Sequence, residues 1–473
     1  ALQEDVDAIG VSILSGACCA LRKDVFLSVG GFDAVNTPDG HSDMDLSYKL
    51  LDRGYRCVYT PHSLLHHIGN HSWGAKKYKY KADIFCLKHW GKFLSEDACF
   101  TDSMKRVLYT DFKFNYKIYA SHIDAAKKYS DSDVLFVSHE LSLTGAPRML
   151  FYAAAAVVQR GGFAVVVAPE DGPMRHELER AGVVVIIDES IAFDHFLFKG
   201  FAKNFDVVVV NTITTALVVR QLSTIEDLKI VWWLHEGQAL RRYLPTHADI
   251  AGQNVRLLCV SDYAQSFVPR KYRSSVLYNA IPDVEVAESR STGVFTFILV
   301  GTIEPRKGQD IFVDAVLLLP AEVRRSCEFI IVGKLWELNR PFWNEVSAKM
   351  KDVKEISYLG SLEHEQALAK VAGSDVVVCS SRDEAFSLAA VEGAMLRKPT
   401  ILNKHVGVSG VFKDKESCLL FESGDALSLT ERMEFAFRNQ HITKQIGKAA
   451  RTIYEQKLSM ERFSAEFLEC INA

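Results

Sequence analysis

The sequence predicts an α/β protein in which two doubly wound parallel sheets follow an N-terminal segment of different character. Short apolar runs, rich in valine and isoleucine and the size of buried strands, alternate with segments of helical periodicity. The alternation runs from residue 134 to residue 234 and begins again at residue 296, after a polar linker at residues 283–293. Such a repeat gives a parallel sheet with helices on both faces. We therefore expect two Rossmann-like lobes that face each other across a cleft, where such sheets bind ligands.

Composition argues against several classes of protein. The chain has 473 residues, enough for several domains, and its 48% hydrophobic and 24% charged residues are ordinary for a globular protein. Its net charge of −4 gives no reason to expect a nucleic-acid partner. No apolar run in the sequence reaches the roughly 18 residues that span a bilayer. The ten cysteines lack metal-ligand spacing, which predicts a cytoplasmic protein with reduced thiols.

The first lobe should place two candidate binding groups at the carboxyl ends of its strands. Gly145 lies in a turn that opens a helix, and its missing side chain permits close approach of a phosphate or sugar. A simple tight turn explains the same residues. His235 directly follows an apolar strand, where it either contacts a ligand or serves as a core or capping residue. The expected strands are 134–138, 164–168, 183–187, 207–210 and 230–234, and the expected helices are 147–160 and 173–181.

In the second lobe, two adjacent cations follow the first strand. Arg306 and Lys307 stand in a turn just before a helix. Together they can clamp a diphosphate, because a guanidinium binds oxygens in a bidentate manner and an ammonium acts as a point charge. A solvated pair of cations is the alternative. The expected strands are 296–301, 328–333, 355–359 and 375–379, and the expected helices are 309–319, 363–372 and 388–396.

Two glutamates flank the turn that follows the last of these strands. Glu384 should lie on the loop at the carboxyl end of the strand, and Glu392 within the helix at 388–396. The backbone amides at the N-terminus of that helix suit an anion. A phosphate site between two carboxylates that can bind hydroxyl pairs is what a nucleotide-sugar requires. Two solvated glutamates on a surface helix are the alternative.

Residues 133–455 resemble the glycosyltransferases of family 4, which have the two-lobed GT-B fold. The resemblance rests on short motifs that occur in the family's order and spacing. Each motif alone is modest, and together they are specific. They are the Gly145 loop, the strand end at His235, Gly301 with Glu304-Pro305-Arg306-Lys307-Gly308, Gly360 before a helix, Glu384 and Glu392 as a Glu-x7-Glu motif, and Leu419-Leu420-Phe421 with Gly424-Asp425.

The resemblance implies a metal-independent transfer of a sugar from a nucleotide diphosphate, with retention of anomeric configuration. Arg306 and Lys307 would stabilise the charge on the leaving diphosphate. Glu384 would hold the donor sugar's hydroxyls, Glu392 would hold the ribose diol, and His235 would lie near the anomeric carbon. The leaving phosphate would take the acceptor's proton, so no general base is assigned. The donor-binding set implied in this way is Gly145, Gly301, Arg306, Lys307, Glu384, Phe386, Ser387, Leu388 and Glu392.

The chain departs from the family pattern at three positions. Ala385 and Ser387 stand where glycines are common, and Cys418 replaces a usual glycine. We expect these departures to change how the donor is held and not to abolish its binding.

Residues 10–105 resemble the C-terminal half of a family 2 glycosyltransferase, which has the GT-A fold. In that family an acidic motif supplies the base that deprotonates the acceptor, and Asp43 matches this position, with Asp45 in the same motif. His67 matches a position that contacts the metal or the diphosphate. A buried pair of aspartates that caps a helix is the alternative. The matching runs are Ser15-Gly16-Ala17-Cys18-Cys19, Val29-Gly30-Gly31-Phe32-Asp33, Ser42-Asp43-Met44-Asp45-Leu46, Arg53-Gly54-Tyr55, His66-His67 and Trp90-Gly91.

A family 2 domain also needs a nucleotide-binding half with an Asp-x-Asp metal site, and the few residues before the match leave no room for it. We therefore expect a fragment of a bifunctional, two-transferase polypeptide. Asp43, Asp45 and His67 would form a vestigial site. A divalent metal would be expected only in an intact GT-A domain, and no cofactor in the GT-B part.

The sequence therefore predicts a hexosyltransferase-type enzyme of polysaccharide biosynthesis. Its partners would be a nucleotide-sugar donor and a glycan, lipid-linked or protein-linked acceptor, with no nucleic acid. The lysine-rich stretch 76–92 is either a solvated face or a peripheral contact with the inner face of the membrane. A nucleotide-sugar epimerase or a non-catalytic nucleotide-sugar-binding scaffold is the alternative function. The expected domains are a truncated GT-A portion at 1–125, lobes at 133–285 and 290–455, and a C-terminal helix at 456–473 that packs back on them.

Overall fold

The chain forms two compact units, Ala1–Ile230 and Val231–Ala473. The boundary between the units falls inside strand β8 (Lys229–Leu234). His67 and residues 76–80 of the lysine-rich stretch lie outside the described residues. No helix in the described part of the chain has the length and apolarity needed to cross a bilayer. The computed structural model describes residues 9–38, 40–60, 62, 81–95, 116–192, 196–250, 254–286 and 293–472.

The first unit begins with a small α/β element. Strand β1 (Ile9–Val11) pairs antiparallel with β2 (Cys57–Tyr59). Between them lie helices α1 (Lys23–Ser28) and α2 (Ser42–Asp52). Apolar side chains of α2, spaced to lie on one face, pack against Val29 and Cys57 in a small core. Helix α3 (Lys81–Ser95) follows.

A mainly parallel sheet forms the rest of the first unit. Its strands lie in the order β7-β4-β5-β6-β3, all parallel except β3, which pairs antiparallel with β6 at the edge. The central strands are buried on both faces, as their continuous apolar runs predict. The strands are β3 (Tyr116–Tyr119), β4 (Asp133–Val137), β5 (Phe163–Ala168), β6 (Val184–Asp188) and β7 (Val207–Asn211), and the helices are α4 (Gly145–Gln159), α5 (Met174–Arg180), α6 (Phe196–Ala202) and α7 (Ala216–Ser223).

The second unit begins with three neighbouring strands in the order β10-β9-β8. Strand β10 (Ser274–Val276) is parallel to β9 (Val255–Cys259). Helix α8 (Ala239–Tyr243) follows β8, and the short helix α9 (Asp262–Gln265) follows β9.

A six-stranded parallel sheet dominates the second unit. Its order is β13-β12-β11-β14-β15-β16, the doubly wound pattern that the sequence predicts. Stacked phenylalanines on β11 and β12, Phe297 and Phe329, lie in its core. The strands are β11 (Phe295–Val300), β12 (Cys327–Val332), β13 (Ile356–Tyr358), β14 (Val376–Cys379), β15 (Thr400–Asn403) and β16 (Leu419–Phe421), and the helices are α10 (Gln309–Leu318), α11 (Ala321–Arg325), α12 (Arg340–Met350), α13 (His364–Gly373), α14 (Leu388–Met395) and α15 (Ala426–Arg438).

Two helices end the chain. Helix α16 (Gln440–Lys457) and helix α17 (Met460–Asn472) are separated by a break that the apolar spacing does not reveal. At the break, Ser459 forms an isolated parallel bridge with Ile281, so its backbone is extended and not helical. Phe463 and Phe467 of α17 stack on the ring of Trp233 in β8.

Gly333 gives a test of how tightly two strand ends of the second unit pack. A β-carbon at Gly333, which follows β12, would lie 1.9 Å from the carbonyl oxygen of Gly301. We expect Gly333→Ala to lower the free energy of unfolding by about 1–3 kcal/mol, because the backbone must shift to relieve the overlap. Urea unfolding measures this, with Gly410→Ala as the control, since a β-carbon there meets no atom within 4 Å. Equal midpoints for the two variants would contradict this packing.

Candidate functional site

A cluster of opposite charges lies where strands β11 and β14 end. The carboxylate of Glu384, which is only 9% exposed, accepts hydrogen bonds from the ammonium of Lys307 and from Arg306 Nη1 at 3.3 Å. The hydroxyl of Ser381 donates to the same oxygen at 3.3 Å. Because parallel strands end at one edge of a sheet, residues that are about 80 positions apart meet here. The structure thus brings together Arg306, Lys307 and Glu384, as the sequence predicts.

The turn that carries the two cations is fixed by its packing against the end of β14. Pro305–Lys307 forms one 3₁₀ turn, which ends at Gly308 with φ of +69°. A β-carbon at Gly308 would lie 2.3 Å from the carbonyl oxygen of Ser380, so the position requires glycine for both conformation and space. The Ser380 hydroxyl donates to the Gly308 carbonyl at 2.8 Å. The cations are therefore held by rigid backbone and not by flexible loop.

A second ion pair holds the same turn from the other side. Arg382 donates to both carboxylate oxygens of Asp310, at 2.9 and 2.6 Å, and to the carbonyl of Pro305 at 2.7 Å. Burial raises the pKa of Asp310, but the Arg382 guanidinium outweighs burial and lowers it. The backbone N–H of Arg382 also donates to the Arg306 carbonyl at 2.8 Å. This pair was not predicted from the sequence, and it contacts the turn only at the carbonyl groups of Pro305 and Arg306.

Arg306 remains charged in this setting. Burial lowers the pKa of its guanidinium, but the nearby carboxylates of Glu384, Glu304 and Asp383 outweigh burial and raise it. Glu304 accepts a hydrogen bond from Arg306 Nη2 at 2.6 Å. The side chain of Arg306 is 45% exposed, so one face of it is open to an incoming anion.

Glu392 lies on α14, as predicted, with its side chain mostly buried. His364, at the start of α13, contacts it with 3.0 Å between Nε2 of the histidine and Oε1 of the glutamate. This contact was not predicted from the sequence. Ser387 caps α14, because its hydroxyl accepts from the Ala390 amide at 3.4 Å. Phe386 and Ser387 are buried directly before the helix, which begins at Leu388, so all three donor-binding residues predicted here lie at its N-terminus.

His235 lies at the carboxyl end of β8, as predicted. Its ring centroid is 4.8 Å from that of Trp233, and its backbone N–H donates to the Glu236 carboxylate at 3.0 Å. The loop that follows is joined to the loop that carries Glu384. Asp383 accepts from the backbone N–H of Gln238 at 3.2 Å and from the Tyr263 hydroxyl at 3.0 Å.

The predicted glycines lie in different units. Gly301 directly follows β11, and its β-carbon position would be 3.5 Å from the side chain of Lys307. Gly145 begins α4 in the first unit. Before it, the Ser142 and Thr144 hydroxyls both donate to the Glu140 carboxylate, at 2.5 and 3.1 Å.

The N-terminal aspartates have local structural partners. Asp45 is fully buried, with a 2.6 Å ion pair to Lys49 and a 2.9 Å hydrogen bond from the Trp90 indole. Asp43 accepts from the Gly16 amide at 3.1 Å. Asp45 is therefore held by structural contacts, but the two aspartates are not a buried capping pair, because Asp43 is only partly buried and α2 has no side-chain cap. His67 lies outside the described residues. Within the described ranges, no three His, Cys, Asp or Glu side chains are grouped so that they could hold a metal ion.

Cys379 ends β14 beside the charge cluster, and its chemistry is testable. Burial raises the pKa of its thiol to about 11, and the thiol contacts the Ser387 hydroxyl at 2.8 Å. A protonated, buried thiol is a poor nucleophile. At pH 7.5 we expect iodoacetamide to label the exposed Cys18 and Cys19 in the folded protein and to leave Cys379 unmodified. Peptide mass spectrometry measures this, and rapid labelling of Cys379 would show that the thiol is accessible and ionised.

Two family models match the chain. Residues 130–288 match the model described as glycosyl-transferase family 4, and residues 284–453 match the model described as glycosyl transferases group 1. Neither match extends into residues 1–129, and the resemblance of that segment to family 2 stays a prediction. An uncharacterized glycosyltransferase of Methanocaldococcus jannaschii is 25% identical over 230 residues. That alignment covers 48% of this chain and 60% of the relative, so the chain spans less than two thirds of the relative's length.

Solved structures share the fold. Anabaena HepE in complex with UDP-glucose matches with a TM-score of 0.62 and 18% identity, over 72% of this chain and all of HepE. A glycosyltransferase from Rickettsia africae matches with a TM-score of 0.61 and 16% identity, over 73% and 98% of the two chains. Sucrose-phosphate synthase from Thermosynechococcus elongatus matches with a TM-score of 0.60 and 14% identity, over 72% of this chain and 98% of the synthase. These likenesses confirm the predicted two-lobed α/β fold.

Proposed function

Because residues 130–453 match two glycosyltransferase family models and the chain has a GT-B-like fold, we propose that the protein is a retaining glycosyltransferase. It would move a sugar from a nucleotide-diphosphate-sugar to a glycan or glycoconjugate acceptor. The observation that carries the proposal is the joint contact of Lys307 and Arg306 with the buried carboxylate of Glu384. Two cations and a carboxylate at the same edge of a sheet suit a ligand that has both phosphates and hydroxyls.

The donor proposed is a nucleoside diphosphate sugar. Lys307 and Arg306 would stabilise the charge that develops on the leaving diphosphate, and the N-terminus of α14 would add to the anion site. Glu384 would hold the donor sugar's hydroxyls and Glu392 the ribose diol. HepE is solved with UDP and with UDP-glucose, which makes uridine nucleotides the first donors to test here.

The proposed chemistry is a front-face substitution at the anomeric carbon. The acceptor oxygen forms a bond to that carbon while the bond to the leaving phosphate oxygen breaks. The acceptor proton passes to a phosphate oxygen, so no protein base is required. The thiol of Cys379 is buried and protonated, and the Glu384 carboxylate is engaged by two cations. Neither group is therefore placed as a nucleophile for a double displacement, so retention would proceed here without a covalent intermediate on either of them.

A nucleotide-sugar epimerase and a non-catalytic nucleotide-sugar-binding scaffold are the alternatives. An epimerase would change the sugar without an acceptor, and a scaffold would release no nucleotide. The role in polysaccharide biosynthesis, the cytoplasmic location and the peripheral membrane contact stay predictions. That the chain is a fragment of a bifunctional polypeptide also stays a prediction.

Removal of either charge partner should abolish transfer. We expect Lys307→Ala and Glu384→Ala to lower kcat/KM by about 100-fold or more, because each removes a group that acts on the donor in the transition state. Nucleotide release in the presence of donor and acceptor measures this. Lys349→Ala is the matched control, since that lysine pairs with Asp314 on an exposed surface. Wild-type turnover in both site variants, with intact circular dichroism spectra, would refute the site assignment.

Metal removal tests the proposal that the GT-B part needs no cofactor. We expect transfer to continue at the same rate after dialysis against EDTA, because cationic side chains and not a metal ion neutralise the diphosphate. The assay is again nucleotide release, with and without added Mg²⁺ or Mn²⁺. Loss of activity that either metal restores would contradict the proposal.

A further inference from the structure

We propose that Asp383 is a positioning residue that holds the loop after β8, residues 235–238, at a fixed place relative to the cations that bind the diphosphate. This inference rests on the proposed function and adds to it. Asp383 is not itself one of the donor-binding groups. It acts through the backbone of Gln238 on one side and through Arg306 on the other. We call its set of contacts the Asp383 bridge.

The carboxylate of Asp383 makes the first half of the bridge. Both of its oxygens lie 3.2 Å from the backbone nitrogen of Gln238, which donates to them. The Tyr263 hydroxyl donates to one of the same oxygens at 3.0 Å, and the Gln238 side chain donates to that hydroxyl at 3.2 Å. A carboxylate that accepts from a backbone amide forms a strong, charge-assisted hydrogen bond. The loop that follows His235 is therefore anchored at the amide of Gln238 by a charged acceptor.

The main chain of the same residue makes the second half. The carbonyl oxygen of Asp383 accepts from Arg306 Nη1 at 3.0 Å, and the next residue, Glu384, accepts from Arg306 and Lys307. One residue thus touches the His235 loop through its side chain and the cations through its backbone. A shift of Asp383 would change the distance between the two parts of the proposed site.

Glycines next to the bridge leave the space that its contacts need. A β-carbon at Gly237 would lie 2.1 Å from a carboxylate oxygen of Asp383, so only glycine leaves room for the bridge. Beside it, the Ser261 hydroxyl donates to the Ala385 carbonyl at 2.7 Å. A β-carbon at Gly407 would lie 1.8 Å from that carbonyl oxygen. Gly237 and Gly407 therefore approach Asp383 and Ala385 so closely that no larger residue fits without a shift.

The electrostatics agree with the geometry. Burial, together with the negative charge of Asp383, raises the pKa of Tyr263 to about 12, although the Gln238 side chain opposes the shift. The Tyr263 hydroxyl therefore stays protonated and remains a donor to Asp383 at any pH used for an enzyme assay.

Three different substitutions should each disrupt the bridge. Asp383→Ala removes the acceptor, and Tyr263→Phe removes one donor. Gly237→Ala leaves Asp383 in place but displaces the flexible end of its side chain, at little cost to the fold. Asp383→Asn keeps the shape and one acceptor oxygen, so it should rescue part of the loss. Asp314→Ala is the matched control, because that carboxylate pairs with Lys349 on an exposed surface.

Two measurements distinguish positioning from a general structural role. We expect Asp383→Ala and Gly237→Ala to lower kcat about 10- to 100-fold with little change in the donor KM, since misplacement of reacting groups acts on the chemical step. The effect of Tyr263→Phe should largely disappear in the Asp383→Ala background, because both act through one contact. Equal losses in kcat and in donor affinity, or full additivity, would overturn the proposal.

Hydrogen exchange of the Gln238 amide tests the bridge without any activity. We expect Asp383→Ala and Gly237→Ala to speed exchange at this amide, while Asp314→Ala leaves it unchanged. Wild-type protection of Gln238 in Asp383→Ala would refute the bridge. If the wild-type protein transfers no sugar with any donor, the proposed function fails, and the exchange result still decides whether the bridge exists.

Discussion

The arrangement of the strand ends in the second unit depends on a buried carboxylate that lies between two cations. Glu384 is almost entirely removed from water, and an unpaired charge in that position would cost several kcal/mol. Lys307 and Arg306 must therefore remain beside it. The glycine turn at Gly308 and the ion pair between Arg382 and Asp310 keep the cations at that place.

The same arrangement decides what the site can bind. Without a ligand, the positive charges of Lys307 and Arg306 are balanced by Glu384 and Glu304. An incoming diphosphate must share the cations with these carboxylates, so it gains less than it would from free cations. The backbone amides at the start of α14 would then matter, because a helix N-terminus attracts anions. A ligand that brings hydroxyls to Glu384 together with phosphates satisfies both sets of groups. A nucleotide-sugar has this combination.

The fold could be predicted at several strands that are buried on both faces. Strands such as β4, β5, β11 and β14 agree with the sequence within one residue, because their apolar runs are continuous. Strand β3 was not identified from the sequence. It has four residues, with Lys117 among them, and it lies at a sheet edge. Only tertiary pairing makes such segments strands.

The sequence predicts that the charged residues of the candidate site meet, but it does not predict the hydrogen bonds that join them to other segments. Arg306, Lys307 and Glu384 follow strands of one sheet, so their meeting could be expected from topology. The contact between His364 and Glu392 joins two helices, and the bridge from Asp383 to Gln238 joins two loops, and no motif links either pair. Their partners are 28 and 145 positions apart in the sequence. Such hydrogen bonds depend on how helices pack and on loop conformation, and local sequence specifies neither.

Calorimetric titration of the wild-type protein and of Lys307→Ala with UDP and with uridine tests the central claim most directly. If Lys307 and Arg306 form a diphosphate site, UDP should bind the wild-type protein roughly 100-fold more tightly than uridine, as expected for two charge-assisted hydrogen bonds. Lys307→Ala should lose much of that difference while its affinity for uridine stays the same. Equal affinities of the wild-type protein for UDP and uridine would contradict the account.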